Sequence, residues 1–588
     1  MAADTSDLQS RVRYEPDDRP PPLLAAGLGL QLTILTISGI VITPLIVIQA
    51  AGGTEAYMMW AVFGSVVVSG MSTILQAVKV GRIGAGYVLL MGTSGAFIAI
   101  CITAIAEGGP AMLATLVIIS SLFQFALARR LSLFRRVLTP TVAGTVIMLI
   151  PVTVMPIIFD LLGKVPDGAP AEAAPLSAVV TLLVIVGIAV KATGVLRLWA
   201  PVVGVVAGAM VGGYFGIYDT ARIADAPWIG FPDTSAWPGF DLSFGPVFWA
   251  LLPGFIFVTL IGAIETVGDA VAIQRVSWRR PRAVNFRSVQ GAVTADGVGN
   301  LLSGCVGTVP NTTYSSSVSV TELTGVGART VGIAAGLIFI ALACLPKVLS
   351  VILAIPAPVA GAYVSVLLAI LFVVGMKVLV QDGVDYRNGM IAGVSFWVGV
   401  GFQNGVIFPE FFGDIGGGLL QNGMTAGGLT ALLLTLFVEL TEPRRRRIEV
   451  PFRISVLPEI REFLRTFAVR SGWGKAMTHR LDSASEETLL TLLEQYRSKD
   501  GDGDAERRLL LIAHKEGDEA VLEFVASTGE ANLQDQIALL GERATEAPAE
   551  HEVSLRLLRN VASSVHHQQY HDTDIVTVRV KSPAGSES

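Results

Sequence analysis

The sequence predicts an all-α polytopic membrane protein that carries a soluble α/β domain near its C-terminal end. Three observations predict it. Of 588 residues, 52% are hydrophobic and only 15% charged, and the mean hydropathy is +0.62; an ordinary soluble domain is roughly a quarter charged. The apolar residues gather in runs of about 20, the length that crosses a hydrocarbon core. The 42 Lys and Arg divide at residue 450 into 26 before and 16 after, so the last quarter of the chain holds nearly two fifths of the positive charge and reads as soluble.

All six histidines (His479, His514, His551, His566, His567, His571) lie in that last part, which removes histidine metal sites and histidine proton relays from the membrane part. Cys101, Cys305 and Cys344 are widely spaced in apolar surroundings, so neither a disulfide framework nor a zinc cluster is expected. No cofactor is implied. The net charge of -6 and the lack of a basic face interleaved with aromatics argue against a nucleic-acid partner. Met1 to Pro22 is polar and mixed in charge, and the apolar run after it is too long for a signal peptide, so no cleavable signal is expected.

Clear spans are expected at 24–49, 56–78, 110–128, 137–157, 175–195, 198–216, 247–273, 328–352, 356–378 and 415–440. Weaker ones at 87–106, 287–305, 306–324 and 388–404 are crowded with Gly, Ser, Thr, Asn or Pro and bring the number to fourteen. Loop charge tests the assignment, because cytoplasmic loops hold the excess of Lys and Arg. With the N-terminus inside, 23 of the 26 basic residues before position 450 fall on the inner side; only Lys164, Arg222 and Lys347 fall outside. A miscount by one span would scramble that split. A cell (inner) membrane location with both termini cytoplasmic follows as the expectation. The domain plan is a cytoplasmic segment over 1–22, a membrane domain over 23–441, a basic linker over 442–450, an α/β domain over 451–582 and a disordered tail over 583–588; the first twenty residues also read as disordered.

Two weak spans occupy matching places, third in the first seven and third in the second seven. One contains Met91-Gly92-Thr93-Ser94-Gly95-Ala96-Phe97, the other Gly307 to Ser317 with Pro310-Asn311-Thr312-Thr313-Tyr314-Ser315-Ser316 at its centre. Non-helical backbone at membrane depth survives only where protein or a water-filled cavity satisfies it. In any single segment Gly and Ser can serve close helix packing alone. The matched pair favours an inverted repeat with a ligand site between two broken helices.

Ionisable groups inside a span cost about 2.5 to 3.5 kcal/mol each and are rare. Span eight carries Glu265 and Asp269, whose i,i+4 spacing puts both carboxylates on one helical face, where the pair can carry a proton. Glu265 is the principal candidate; Asp269 is either a second proton carrier or a tie that fixes Glu265. Asp296 either touches the ligand or proton or braces a broken helix, and Glu322 is expected to pair with nearby Arg329. The hydroxyls from Thr312 to Ser319 lie at the mouth of a half-helix, where free amides and a partial positive charge suit a small planar molecule with carbonyls and ring N–H groups.

These residues resemble the nucleobase-ascorbate transporter family over about residues 20 to 441. The likeness is carried by Gly29-Leu30-Gln31, Gln76, Gly81-Arg82, the Gly-Thr-Ser-Gly-Ala-Phe run, Glu265-Thr266-Val267-Gly268-Asp269, Ala295-Asp296-Gly297, Pro310 to Tyr314, and Leu323-Thr324-Gly325-Val326. The resemblance implies fourteen spans in two inverted repeats and a core (spans 1–4 and 8–11) moving as an elevator against a gate (5–7 and 12–14). It also implies a homodimer and proton-coupled uptake of uracil, xanthine or urate. It further implies a substrate site at Ser94, Gly95, Ala96, Glu265, Tyr314, Ser315, Ser316 and Ser317, with Glu265, Asp269 and Asp296 in proton coupling and no enzyme activity. The chain departs from the family pattern in three places. Ser316, Ser317 and Ser319 replace a Gln/Glu, an Asn and a Gly of the span-ten signature, Leu32 replaces a histidine, and Gly95 replaces the phenylalanine of uracil carriers. Each change opens space or removes a hydrogen-bonding group.

The tail is expected to fold with helices at 457–470, 484–497 and 551–564 and strands at 508–514, 519–526 and 574–580. That order resembles the anti-sigma-factor kinase type of ATPase fold. The positions that would serve nucleotide are Thr491 and Ser527, with only Gly529 kept and no glycine-rich lid before Leu555, which implies a non-catalytic docking or dimerisation module with a cytoplasmic protein partner. A receptor that senses a ligand and signals through the tail, and a carrier of a non-nucleobase substrate, are the competing expectations.

Overall fold

A computed structural model describes residues 12–134, 139–280, 282–380, 383, 385–411, 423–441, 445–497, 508–526, 557–571 and 573–582. The chain divides into two compact units: residues 1–280 with 288–440, and residues 281–287 with 441–588.

The first unit is a multi-pass helical bundle. Its helices of eight or more described residues are α1 (Pro22–Ala50), α2 (Glu55–Val78), α3 (Ile98–Arg129), α4 (Pro140–Gly163), α5 (Ala173–Lys191), α6 (Ala200–Tyr214), α7 (Pro246–Val276), α8 (Phe286–Val306), α9 (Ser316–Thr324), α10 (Arg329–Ala343), α11 (Pro346–Leu353), α12 (Ala357–Val380), α13 (Tyr386–Gln403) and α14 (Gly423–Thr441). Two short strands interrupt them, β1 (Leu90–Thr93) and β2 (Asn311–Tyr314). Among the described residues eight helices are long and apolar enough to cross a membrane, or nine if α10 and α11 count as one. Helix α3 runs on past its first span because Gly109 (φ 80°, ψ 175°) and Pro110 break it without a loop, so the spans expected at 87–106 and 110–128 join there.

Small residues bring the helices together, as they do where lipid gives no hydrophobic drive between helices. A Cβ on Gly70 of α2 would lie 2.7 Å from the Gly336 carbonyl of α10, and one on Gly336 would lie 2.6 Å from that of Gly70. Gly144 of α4 and Gly375 of α12 meet in the same reciprocal way, at 2.7 and 2.9 Å. These backbones touch directly, with no room for a side chain.

Three expectations about this unit are corrected. The single span expected at 328–352 is two helices bent by 88°, because Leu345-Pro346 ends α10 and starts α11. The expected disorder of the first twenty residues fails from residue 12 onward, where backbone hydrogen bonds tie the chain to residues 325–329. Arg329 pairs with Asp17 at 2.9 Å rather than with Glu322.

The second unit is a five-stranded antiparallel sheet, order β3-β4-β5-β7-β6, with β3 (Arg446–Pro451), β4 (Arg508–Glu516), β5 (Glu519–Ala526), β6 (Ser564–Gln569) and β7 (Asp574–Lys581). Helices α15 (Leu457–Arg470) and α16 (Lys475–Arg497) bury Ile460, Leu464, Phe467, Met477, Leu481 and Leu492 with Leu509, Leu511, Leu522, Phe524, Val576 and Val578 of the sheet. Gly517, at φ 58°, makes the β4–β5 turn that glycine adopts without strain. Two edges of the sheet were misplaced from sequence. The supposed linker contributes β3, where Ile448 and Val450 face inward between outward Arg447 and Glu449. The helix expected to reach residue 564 gives way to β6 there. Ser527, Gly529, Leu555 and the tail from 583 lie outside the described residues.

Candidate functional site

Strands β1 and β2 pair antiparallel at the centre of the bundle, with Leu90 opposite Tyr314, Met91 opposite Thr313, Gly92 opposite Thr312 and Thr93 opposite Asn311. A helix leaves each strand: a 3-10 turn, Gly95–Phe97, leads from β1 into α3, and α9 follows β2. Because the strands are antiparallel, the two helices leave in opposite directions and both present N-terminal amides, with their partial positive charge, toward the ladder. The Ser94 amide donates to the Pro310 carbonyl at 2.8 Å and locks the junction.

Helix α7 lays its carboxylates along β2. Asp269, 7% exposed, accepts from Thr313 Oγ1 at 2.7 Å and from Ser315 Oγ at 2.6 Å. Glu265, one turn earlier and half-buried, has a single long contact among the described residues, Thr312 Oγ1 at 3.5 Å from Oε2. Asp296 of α8 is fully buried and held by Gln124 Nε2 at 2.7 Å, Thr266 Oγ1 at 2.8 Å and Asn300 Nδ2 at 3.4 Å. Asn300 also donates to Gln124 Oε1 at 2.9 Å and accepts the Asn311 amide at 2.7 Å. The three acids therefore differ in availability: Asp296 braces α3, α7, α8 and β2, Asp269 fixes α7 against β2, and Glu265 keeps most of its acceptor capacity.

The remaining residues expected at the site separate in the same way. Ser94 Oγ, at the N-cap of the turn and 1% exposed, has no hydrogen-bond partner, and Ser316 Oγ at the start of α9 is buried without one. A Cβ placed on Gly95 would meet nothing within 4 Å, so the glycine leaves open space, while Ala96 is buried beside it. Ser317 Oγ turns back to the Tyr314 carbonyl at 2.8 Å, and Ser315 serves Asp269. Tyr314 folds its ring over Gly92 and donates from its hydroxyl to the Thr93 carbonyl at 2.9 Å.

Sequence reasoning missed Gln124, Thr266 and Asn300, the three side chains that hold Asp296. A lone glutamine in the apolar run of α3 was the available signal for Gln124. It also missed Tyr363 of α12, whose hydroxyl, like that of Tyr314, would lie about one contact distance (3.5 and 3.4 Å) from a Cβ on Gly39 of α1. The brace predicts an outcome. Asp296→Ala strands two buried donors, Gln124 Nε2 and Thr266 Oγ1, each costing about 1–3 kcal/mol when unpaired, and should lower the melting temperature in detergent clearly more than Asp296→Asn, which keeps an acceptor oxygen. Equal melting temperatures for the two variants would contradict a bracing role.

Interrupted helices that converge on a lightly held carboxylate inside a multi-pass apolar bundle define a class, that of membrane transporters. The chain belongs to the Permease family, whose xanthine/uracil permease profile matches residues 25–406. The xanthine permeases XanP and XanQ of Escherichia coli K12 are 27% and 26% identical to it over 444 and 458 residues, covering 73% and 74% of this chain and 94% and 96% of their own. The uric acid permease PucJ of Bacillus subtilis 168 is 25% identical over 433 residues, covering 71% of this chain and 93% of its own. Among solved structures, the transmembrane domain of a cyanobacterial bicarbonate transporter, BicA, aligns at 17% identity and a TM-score of 0.41 over 72% of this chain and all of its own, too loose a match to build on.

Proposed function

We propose that the protein is a proton-coupled nucleobase symporter, taking a xanthine- or urate-like base inward by an elevator movement. On this reading fourteen spans form two inverted repeats of seven in the inner membrane, with both termini cytoplasmic. Spans 1–4 and 8–11 form the moving core, spans 5–7 and 12–14 the gate, and two copies form a homodimer. Ser94, Gly95, Ala96, Tyr314, Ser315, Ser316 and Ser317 surround the base. Glu265 receives its ring N–H groups, and Glu265, Asp269 and Asp296 form the acidic cluster through which a proton accompanies it. The observation that carries the reading is the unequal engagement of the three acids: only Glu265, with its single 3.5 Å contact, is left open to a ligand beside the β1–β2 ladder. The names of the relatives support a purine over other cargo, and the space over Gly95 supports a two-ring base over a one-ring base.

The test is uptake of radiolabelled xanthine, urate and uracil into proteoliposomes under an imposed inward proton gradient. Accumulation of a purine that collapses with a protonophore is the expected result; accumulation that persists without the gradient would remove proton coupling. A second expectation concerns selectivity. Ser316→Gln places an amide where a buried hydroxyl has no partner, and one added hydrogen bond of about 1 kcal/mol should lower the KM for the transported purine roughly fivefold. An unchanged KM for every base tested would put the base elsewhere.

The separate hydrophobic core of the second unit supports one competing reading, a receptor that reports occupancy through that domain. Binding of a base without accumulation in the same vesicles would favour it.

A further inference from the structure

We infer that residues 12–18 are a clasp that holds the two sides of the candidate site in register from the far ends of the helices that carry them. Tyr14 forms a parallel bridge with Val326. The amides of Arg13 and Tyr14 both donate to the Gly325 carbonyl, at 2.7 and 3.1 Å, the Gly327 amide donates to the Tyr14 carbonyl at 2.8 Å, and the Arg329 amide donates to the Pro16 carbonyl at 3.1 Å. This grips the turn that ends α9, where Gly325 takes the left-handed cap conformation at φ 68°.

The same segment grips the end of α7. Arg279, three residues past that helix, donates to the Val12 carbonyl at 3.3 Å, to the Arg13 carbonyl at 2.6 Å and to Asp18 at 2.9 Å, and its amide donates to Glu15 at 3.1 Å. A third arm reaches the approach to β1: Arg329 pairs with Asp17 and donates from Nε to the Gly86 carbonyl at 2.8 Å. Helix α7 carries Glu265 and Asp269, α9 begins at Ser316, and the segment through Gly86 leads into β1. All three parts of the site are therefore gathered at one place by one stretch of chain.

The grip rests on backbone bonds more than on charge. Arg279 and Asp18 are 48% and 36% exposed, and exposed ion pairs contribute little. Pro16 and Pro20 are buried and Tyr14 packs on the bundle core. Segments left untied open readily; residues 13–16 are tied by backbone bonds. Helix α9 is only nine residues long, about 13 Å, so loosening its far end reaches Ser316. Close packing of Gly327 on Ser277, where an added Cβ would approach to 3.1 Å, also joins these two helix ends.

The clasp concerns the site proposed above, but its primary readout is amide hydrogen exchange on the purified full chain and needs no substrate, so it stands or falls apart from the transport reading. Deletion of residues 2–18 should speed exchange across 311–325 at least about tenfold while leaving α12 unchanged, because protection reports local opening. Arg279→Gln with Asp18→Asn, which keeps the chain length, should give a smaller acceleration in the same segment, and Arg279→Lys should restore part of it. In the transport assay the deletion should raise KM several-fold with kcat within about twofold. Unchanged protection of 311–325 in the deletion, or in the double substitution should the deletion fail to fold, would overturn the clasp; acceleration spread evenly over both units would overturn it as well.

Discussion

Glu265→Gln is expected to abolish gradient-driven accumulation while leaving the protein folded and able to bind its base weakly. Glutamine keeps the volume of the side chain and the contact with Thr312 but has no negative charge and cannot exchange a proton. Two consequences follow from that single change. The hydrogen bonds that a carboxylate accepts from ring N–H groups are charge-assisted, and losing that charge costs about 1.5–3 kcal/mol, roughly 10- to 150-fold in affinity at 1.4 kcal/mol per factor of ten. The proton that would travel with the base also loses its carrier, so accumulation against a gradient should fall by more than the affinity does. Asp269→Asn is the control. Its carboxylate is already taken by Thr313 and Ser315, so an asparagine that keeps one acceptor should slow uptake by about tenfold or less, one lost hydrogen bond, and weaken coupling less than Glu265→Gln does. Initial rates and final levels of accumulated base, measured side by side in proteoliposomes, separate the two variants. Undiminished proton-driven accumulation by Glu265→Gln would sink the assignment of that residue and the symport reading with it.

The long apolar helices were legible because membrane helices must be apolar for about 20 residues whatever they do next, and the interruptions at β1 and β2 were legible because Gly92-Thr93-Ser94-Gly95 and Pro310 to Tyr314 cannot be comfortable as buried helix. What was hidden has physical causes. The bend between α10 and α11 lies in an apolar run whose charge, Lys347, read as the outer end of a single span, so the turn at Leu345-Pro346 did not show. Strand β3 was masked by charge: Arg446 and Arg447 read as a basic linker, although the inward Ile448 and Val450 alternate with Arg447 and Glu449 as an edge strand requires. The clasp was invisible because most of its bonds involve a backbone group, which every sequence carries. Asp296 was seen as an acid worth naming, but whether it faced a ligand or braced the fold depended on Gln124, a residue 172 positions away that only packing brings to it. The acids could be found from sequence; which of them was left with spare hydrogen-bonding capacity could not.

Gly92→Ala is expected to have the second large effect, through Tyr314 rather than through the ladder's own backbone. A Cβ at position 92 would sit 2.4 Å from the Tyr314 Cζ and 2.8 Å from both Cε atoms, well inside contact distance. The ring has little freedom to yield. Its hydroxyl is bonded to the Thr93 carbonyl at 2.9 Å, and its other side approaches Gly39 of α1. Relief therefore requires the ring to swing out and break that bond, at a cost of about 1–3 kcal/mol for overpacking and about 1 kcal/mol for the lost hydrogen bond. On the proposed reading the displaced ring intrudes where the base stacks, so affinity should fall about 10- to 100-fold, with a smaller loss in melting temperature than Asp296→Ala produces. Tyr314→Leu on its own should weaken binding but remove the collision. In that background Gly92→Ala should then cost little more, a coupling of about 1–3 kcal/mol of the kind contacting residues show. Strict additivity of the two substitutions in ligand affinity would mean that the ring and the glycine do not meet in the working protein, and the geometry of the crossing would need to be drawn differently.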